Sequence, residues 1–279
     1  MGFNVTVVGL GLIGGSFSLA LRELKPKNIW GVDIDQGVLE KAEKKGIVDK
    51  GFVNPSIPLQ DSDLVIICLY PELTVKFMRD NIFSFKSGAI ITDTSGIKNK
   101  VIDDIQSFLP DNLDFVSGHP LAGREYKGLD LASKEIFRGA NYIITPTKKN
   151  IEENIVFVEE MLRKMGCEKV TRVKAEEHDK IIAFTSQLPH IIASAMINSV
   201  ENENVLDFMG GSFKDMTRVA RVNVPLWTEL LIENRENILG KIDIFEKNIT
   251  LLKNAINNRD EEELSYLLEK GCEGRGKLS

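Results

Sequence analysis

The chain has 279 residues, 43% of them hydrophobic, and a formal net charge of −6 at pH 7. This length predicts one large or two smaller domains with an ample core. The acidic balance without a basic stripe excludes nucleic acid as a partner, because phosphate backbones require clustered lysine and arginine. No signal peptide precedes the first strand and no apolar run reaches the ~20 residues of a membrane span, so we expect a cytoplasmic protein.

The glycine-rich opening is the most specific local pattern. An apolar, β-branched run at residues 4–8 leads into Gly9-Leu10-Gly11-Leu12-Ile13-Gly14, and a helix is predicted over 16–24. A second strand, 29–33, ends in Asp33. Strand, G-x-G-x-x-G, helix and terminal acid together indicate a dinucleotide site. Gly9 permits the turn, Gly11 lets the backbone approach the pyrophosphate, and Gly14 lets helix and strand pack closely.

Asp33 indicates NAD as the cofactor. Its carboxylate suits the ribose hydroxyls and repels a 2′-phosphate, and neither arginine nor lysine occupies residues 34–36. We also place Leu12, Ile13, Pro71 and Ser95 among the cofactor contacts. The alternative is a glycine-rich turn that holds no ligand.

Strands and helices alternate through the first part of the chain. Apolar runs at 4–8, 29–33, 64–69, 89–92, 114–117 and 141–144 are separated by helical stretches such as 37–45 and 98–107, and a helix at 152–165 and a strand at 168–173 follow. This alternation predicts an α/β fold, with a doubly wound, mainly parallel Rossmann-type sheet over residues 1–173.

From residue 174 to 279 we predict an all-helical domain for substrate binding and dimerisation. Strand patterns end there, and apolar residues recur at helical spacing, as in Ile238, Ile242, Phe245 and Ile249. We expect these four residues to belong to a shared or supporting apolar seam of a homodimer. The alternative is the internal core of a monomer.

The three cysteines, Cys68, Cys167 and Cys272, are odd in number and widely spaced. Cys68 also lies inside an apolar strand, so we expect reduced thiols. The sequence shows no cluster of metal ligands, so no metal is expected.

Two segments after strands carry candidate catalytic residues. Residues 93–98 follow the fourth predicted strand, at the sheet edge where ligands of open α/β sheets bind, and Ser95 is expected to face the nicotinamide. The alternative is turn and N-cap chemistry. His119 lies just past the fifth strand and is the best acid–base candidate. A structural loop histidine is its alternative.

Two segments of the helical part carry candidate substrate contacts. Pro189 in a helical run should bend the helix, so that Gln187 and His190 project into a cleft. A core histidine is the alternative for His190. For His178, beside Asp179, we favour a cap or a surface pair.

Arg218 follows a glycine pair and lies four residues after Lys214, so the two cations share a helical face. Its guanidinium can bind a carboxylate through two parallel hydrogen bonds, in a bidentate ion pair. The alternative is a solvated face on which Arg218 pairs with Asp215.

Taken together, these motifs resemble the prephenate dehydrogenases of tyrosine biosynthesis. The resemblance covers nearly the whole chain and rests on the opening glycine turn, residues 93–98, Gly118-His119-Pro120-Leu121-Ala122-Gly123, His178-Asp179, Ser186-Gln187-Leu188-Pro189-His190, and residues 210–218. It implies NAD-dependent oxidation of prephenate to 4-hydroxyphenylpyruvate with loss of carbon dioxide. By that resemblance His119 is the catalytic histidine at the ring hydroxyl, Arg218 binds a carboxylate and His190 contacts substrate.

The sequence departs from the family pattern at two positions. Many relatives carry the serine of the first loop at the position of Gly96, whereas here it is Ser95, which we place beside His119 as a second catalytic candidate. The family also often has histidine where Gln187 stands. The resemblance further implies a monofunctional form, without a chorismate-mutase segment or a regulatory domain.

Three alternatives remain open. Arogenate dehydrogenase would use the same scaffold, but no acid flanks His190 to meet the ammonium of arogenate, so we favour prephenate. Glu125 or Asp215 could reverse this choice by entering the pocket. A β-hydroxyacid dehydrogenase would have a G-x-x-x-K-x-x-x-N pattern, which Gly210 and Lys214 match and Arg218 breaks. The third is a non-catalytic NAD-sensing protein.

Overall fold

The computed structural model describes residues 2–122 and 128–277. Its main sheet is parallel, with the strand order β3-β2-β1-β4-β5-β6. The strands are β1 (Asn4–Val8), β2 (Asn28–Val32), β3 (Lys50–Phe52), β4 (Leu64–Ile67), β5 (Ile90–Asp93) and β6 (Asp114–Phe115). The strand order reverses between β1 and β4. In such sheets ligands bind at the carboxyl ends of the strands, beside that reversal.

Helices cover both faces of this sheet, which confirms the predicted doubly wound class. They are α1 (Leu12–Leu21), α2 (Gln36–Lys44), α3 (Ser56–Leu59), α4 (Pro71–Asp80), α5 (Asn99–Gln106) and α6 (Glu152–Lys164). Along β4, Leu64 and Ile66 belong to one apolar cluster, and Val65 and Ile67 belong to the other. This is why β4 is apolar throughout: a parallel strand is buried on both sides.

A second, three-stranded sheet corrects part of the sequence prediction. Its strands are β7 (Ser117–Leu121), β8 (Asn141–Thr145) and β9 (Lys169–Arg172), with β7 antiparallel and β9 parallel to β8. The runs predicted at 141–144 and 168–173 therefore do not join the parallel sheet. His119 lies inside β7, opposite Ile143, and not in a loop. The sequence of β7 carries glycine and proline, so it lacks the usual strand pattern.

After Arg172, every described element of secondary structure is a helix or a helical turn. The helices are α7 (Ala175–Ile182), α8 (Leu188–Asn198), α9 (Gly211–Thr217), α10 (Val224–Glu233), α11 (Arg235–Asn258) and α12 (Glu261–Gly276), and a π-helical turn (Ala183–Gln187) joins α7 to α8. Ile238 packs with Ala183 and Leu188 in an internal cluster, with Ile242 and Phe245 half-buried against it. Ile238 therefore lies in the protomer's own core, where it can only support a seam between subunits, whereas Ile249 is exposed.

The continuous helix Ala175–Asn198 corrects another expectation. Its 24 residues are long and apolar enough, by length and composition, to cross a membrane. A span-length apolar segment is therefore present. Near its start, however, the Asp179 carboxylate accepts hydrogen bonds from the backbone N–H groups of Lys98 and Asn99. These bonds attach the helix to α5, so we assign it to the folded site described below.

Candidate active site

The glycines in the turn between β1 and α1 have two different roles: two of them are needed for folding, and one leaves space for a ligand. Gly9 has a φ of +84°, and a Cβ added at Gly14 would lie 1.9 Å from the Gly9 carbonyl oxygen. Both positions therefore require glycine for folding. A Cβ added at Gly11 would meet nothing within 4 Å. Gly11 also precedes the first residue of α1 and offers no side-chain cap, so the first N–H groups of α1 can bind an anion.

Asp33 closes this turn from the end of β2. Its Oδ2 accepts the Leu10 N–H at 2.8 Å and its Oδ1 accepts the Asp35 N–H at 3.0 Å. Each oxygen keeps a second lone pair for a ligand hydroxyl. Among the other predicted cofactor contacts, Leu12 is buried and Ile13 half-buried at the start of α1. Pro71 is buried at the start of α4, where it lines a cleft of about 150 Å³ between α4 and α5.

A fully buried ion pair underlies the site. The Lys98 Nζ lies 2.8 Å and 3.0 Å from the two carboxylate oxygens of Asp93, and it also donates to the Ser117 hydroxyl and the Gly118 carbonyl. Burial lowers the pKa of Lys98, and Asp93 opposes that shift. The pair joins the end of β5 to β7, immediately before His119. Sequence reasoning treated Lys98 only as the end of a loop, because nothing local shows that the side chain turns inward.

Ser95 lies in the loop between β5 and α5. It is buried, its N–H donates to Asp93, and its hydroxyl has no hydrogen-bond partner. Lys98 is the residue that precedes α5, and its side chain makes no cap. The carboxylate of Asp179 accepts the first N–H groups instead, so the interpretation of residues 93–96 as N-cap chemistry is wrong. A buried hydroxyl without a partner is costly unless a ligand or water completes it.

His119 takes part in a short chain of hydrogen bonds, which we call the histidine relay (His119, His178 and Asp179). The Nδ1 of His119 lies 2.9 Å from the Nε2 of His178, and the Nδ1 of His178 lies 2.7 Å from Asp179 Oδ1. The Nε2 of His119 lies 3.8 Å from a Cβ added at Gly96. His178 pairs with Asp179, but both are buried and His178 lies against His119, so the expectation of a cap or surface position is wrong. An adjacent His-Asp pair at a helix start was the only signal available.

The electrostatic surroundings keep both relay histidines neutral. Burial, His178 and Lys98 together lower the pKa of His119 well below its ordinary value. Burial also lowers the pKa of His178, although Asp179 opposes that shift. At neutral pH His119 therefore has an unprotonated nitrogen that can accept a proton.

Gln187 is buried between helices and does not line the groove described below. Its side chain is buried, its Nε2 donates to the Leu230 carbonyl at 3.1 Å, and its Oε1 accepts from Asn234 at 2.8 Å. The same Asn234 amide donates to the Asp179 carbonyl. The prediction that Gln187 projects into a substrate cleft is therefore wrong: its amide joins the π-helical turn to α10. Pro189 follows the π-helical turn, and the helix continues through it as α8.

His190 lies in the first turn of α8, where its ring stacks on Trp227. The ring centroids are 3.7 Å apart, and Nδ1 donates to the Ser186 carbonyl at 2.8 Å. Burial lowers the pKa of His190, so the neutral ring leaves Nε2 as an acceptor. Sequence reasoning missed Trp227, since a tryptophan in an apolar helix resembles ordinary core.

Helix α10 connects the two histidines. Leu230 and His119 lie on the same side of Gly96, where an added Cβ would be 3.2 Å from the Leu230 side chain. Trp227 lies one turn earlier on the same face of α10, ~4.5 Å along the axis, against His190. A groove of about 320 Å³ runs beside His190 and Trp227. It is lined further by Ile191, Ser194, Ala195, Asn198, Val222 and Leu231.

Arg218 is exposed and begins a short turn (Arg218–Ala220) that packs against α8. Lys214 and Asp215 are exposed on α9. The predicted motif residue Gly123 and the alternative acid Glu125 lie outside the described residues. In the part of the chain that the structure describes, no group of His, Cys, Asp and Glu side chains could hold a metal ion.

Sequence comparison identifies both parts of the chain. Residues 17–171 match the family model described as prephenate dehydrogenase, nucleotide-binding domain, and residues 174–270 match the one described as prephenate dehydrogenase, dimerization domain. The prephenate dehydrogenase of Bacillus subtilis is 31% identical over 268 residues, which cover 94% of this chain and 72% of the relative. The cyclohexadienyl dehydrogenase of Zymomonas mobilis is 30% identical over 273 residues, 95% of this chain and 92% of the relative.

Structure comparison agrees. The crystal structure of an Aquifex aeolicus prephenate dehydrogenase in complex with hydroxyphenyl propionate and NAD+ has a TM-score of 0.90 at 30% identity, covering 100% of this chain and 99% of that one. The Synechocystis arogenate dehydrogenase has a TM-score of 0.83 at 27% identity, covering 99% of this chain and 100% of that one. The chain therefore belongs to the prephenate dehydrogenase family.

Proposed function

We propose that this protein uses NAD to oxidise prephenate to 4-hydroxyphenylpyruvate, with loss of carbon dioxide, in tyrosine biosynthesis. The observation that carries the proposal is the Nε2 of His119, which faces the loop after β5 at the carboxyl edge of the sheet while its Nδ1 is held by His178. We further propose that residues 1–173 bind the cofactor and that residues 174–279 bind substrate and dimerise. The descriptions of the two matching family models support this division.

The glycine turn fits NAD. We propose that Gly9, Gly11, Leu12, Ile13 and Gly14 form the turn against which its diphosphate lies, because Gly11 is open and the start of α1 is uncapped. Asp33 receives the ribose hydroxyls. We also keep Pro71 and Ser95 as proposed contacts, Ser95 because its buried hydroxyl lacks a partner. When bound, NAD supplies the hydride acceptor.

The protein's own groups then handle the substrate and one proton. We propose that His119 takes the proton of the ring hydroxyl as the hydride leaves the carbinol carbon, and that Arg218 binds a substrate carboxylate. Loss of carbon dioxide leaves the electron pair of the broken C–C bond in the ring, which becomes aromatic. The phenolic oxygen then takes a proton back from His119, so no net proton is released.

Prephenate is the substrate we favour, because the described groove beside His190 has no acidic side chain to meet an ammonium group. A buried ammonium without its partner costs roughly 1–3 kcal/mol, on the order of tenfold in specificity. Arogenate is the second candidate, since one observation favours it: neutral His190 presents Nε2 as an acceptor, which suits a donor better than a keto oxygen.

A homodimer through the helical part is also proposed. Exposed apolar side chains there include Ile232, Leu239, Ile244, Ile249 and Ile256. A second copy would cover them, in agreement with the dimerization domain that the family model describes. Static light scattering tests this, and a monomeric mass at micromolar concentration would contradict it.

The test of function is NADH formation from prephenate, arogenate and short β-hydroxyacids, compared as kcat/KM. We expect prephenate to be preferred about tenfold or more. His119→Asn should lower kcat about 10²–10⁴-fold, whereas Arg218→Ala should mainly raise KM. Lys180→Ala, which removes an exposed cation from α7, is the matched control for Arg218. Near-normal turnover in His119→Asn, or oxidation of hydroxyacids alone, would refute the proposal.

The reason for the substrate preference is tested separately. His190→Ala should change the ratio of the kcat/KM values for prephenate and arogenate, because His190 is the polar ring beside the groove. An unchanged ratio would remove His190 as its cause. A preference for arogenate in the unmodified protein would replace prephenate with the second candidate.

A further inference from the structure

The histidine relay determines where each proton lies. The carboxylate of Asp179 can only accept, so the Nδ1 of His178, 2.7 Å away, carries a proton. In neutral His178 the Nε2 is then an acceptor, and the Nδ1 of His119 at 2.9 Å must donate to it. A neutral His119 with its proton on Nδ1 has its lone pair on Nε2. That is the atom which faces Gly96, in the loop after β5.

Asp179 is itself held in place from outside the relay. Its Oδ1 and Oδ2 accept the N–H groups of Lys98 and Asn99, both at 2.9 Å, at the start of α5. The positive end of a helix stabilises a negative charge there. Asn234 donates to the Asp179 carbonyl from the other side. The carboxylate therefore cannot rotate away from His178 without leaving the first turn of α5 unbonded.

We propose that His178 and Asp179 are positioning residues for the dehydrogenation, which assign the Nε2 of His119 as the base and share the proton that it borrows. The inference rests on the proposed function and adds a role for two residues to it. As the substrate O–H bond breaks, Nε2 of His119 gains the proton. Its Nδ1 proton can then shift to Nε2 of His178, whose Nδ1 proton stays bonded to Asp179. The reverse shifts return the proton to the phenolic oxygen.

The charges around His178 favour this sharing over a charge on His119. Asp179 on its own helix and Asp93 at the end of β5 favour the protonated ring, whereas Lys98 before α5 disfavours it. His119, from β7, is next to His178 and Lys98 but has no carboxylate of its own. A proton that reaches the pair is therefore stabilised most on His178, beside Asp179.

Asp179→Asn tests the relay, because a neutral amide cannot accept from the Lys98 N–H, the Asn99 N–H and His178 together, as the carboxylate does. When its nitrogen faces His178, the amide gives up the Lys98 N–H bond, donates to Nδ1 and reverses both rings. A known precedent is the Ser-His-Asp triad, where replacing the buried aspartate by asparagine leaves the geometry intact but selects the wrong histidine tautomer. Here we expect His119 to carry its proton on Nε2 and kcat to fall about 10²–10⁴-fold, with the KM for NAD unchanged. Glu177→Gln, an acid-to-amide change at an exposed position on the same helix, is the matched control.

The tautomers can be read directly, without turnover. The chain contains three histidines, so ¹⁵N NMR of histidine-labelled protein resolves them, with His119→Asn and His190→Asn for assignment. We expect protonated Nδ1 on His119 and His178 in the unmodified protein, and protonated Nε2 on both in Asp179→Asn. Unchanged tautomers together with a kcat within about threefold of normal would overturn the proposal.

A second variant covers the case in which Asp179→Asn does not fold. His178→Phe keeps the cap of α5 and removes the relay, so His119 should lose its Nδ1 preference and kcat should again fall at least 100-fold. Normal turnover in His178→Phe would overturn the relay. The expected tautomers without oxidation of prephenate or arogenate would instead refute the proposed function and leave the tautomer assignment intact.

Discussion

Lys98→Met should destabilise the fold strongly, although it keeps the length of the side chain. The substitution removes the charge that faces the buried Asp93 carboxylate and leaves the Gly118 carbonyl without this donor. Asp93 keeps three donors: the Ser117 hydroxyl and the N–H groups of Ser95 and Gly118. Removing one partner of a buried ion pair costs about 3–5 kcal/mol, and these remaining donors argue for the lower half of that range.

Urea unfolding of the cofactor-free protein measures this loss, and thermal unfolding should show a fall in Tm of about 6–16 °C. The matched control is Lys100→Met. Lys100 pairs with Asp104 at 2.9 Å, but both side chains are largely exposed, so the loss there should be about 0–1 kcal/mol. If Lys98→Met costs less than about 1 kcal/mol, or no more than Lys100→Met, the Lys98–Asp93 pair does not stabilise the fold as argued.

Three further predictions concern the cofactor and pH. Gly11→Ala should leave Tm unchanged and weaken NAD binding at least tenfold by calorimetry, because the added methyl group meets only the space left for a ligand. Gly14→Ala should not fold, because its Cβ would overlap the Gly9 carbonyl oxygen. Equal NAD affinity in Gly11→Ala would remove the diphosphate from that turn. Asp33→Ser should narrow a strong preference for NAD over NADP, and equal efficiency with both cofactors in the unmodified protein would count against Asp33 as the selector. The pKa values of all three histidines are lowered in the folded protein, so below their ordinary pKa the unfolded chain binds more protons than the folded chain. The free energy of unfolding should therefore fall between pH 7 and pH 5.5, by up to ~1.4 kcal/mol per pH unit for each histidine. Urea unfolding at both pH values checks this, and stability that rises on acidification would contradict it.

The parts of this protein that depend on residues close together in the chain could be predicted without coordinates. The turn from β1 to α1 needs glycine because Gly9 has a φ of +84° and a Cβ at Gly14 would overlap the Gly9 carbonyl oxygen, and the alternation of strands and helices follows from local periodicity. The family also followed from the sequence, since several short motifs in order are more specific than any single one. For the same reason His119 and Arg218 could be named as candidates without coordinates.

The groups that surround His119 could not be predicted from the sequence, because elements far apart in the chain bring them together. His178 is 59 residues away in sequence and Lys98 reaches back across the end of β5, and no local pattern tells an inward-facing lysine or histidine from an exposed one. Gln187 shows the opposite error: it lies within a motif and was expected to contact substrate, yet its amide is hydrogen-bonded to Leu230 and Asn234. A side chain's chemistry is set by its burial and its partners, and those are chosen by the packing of elements far apart in the chain.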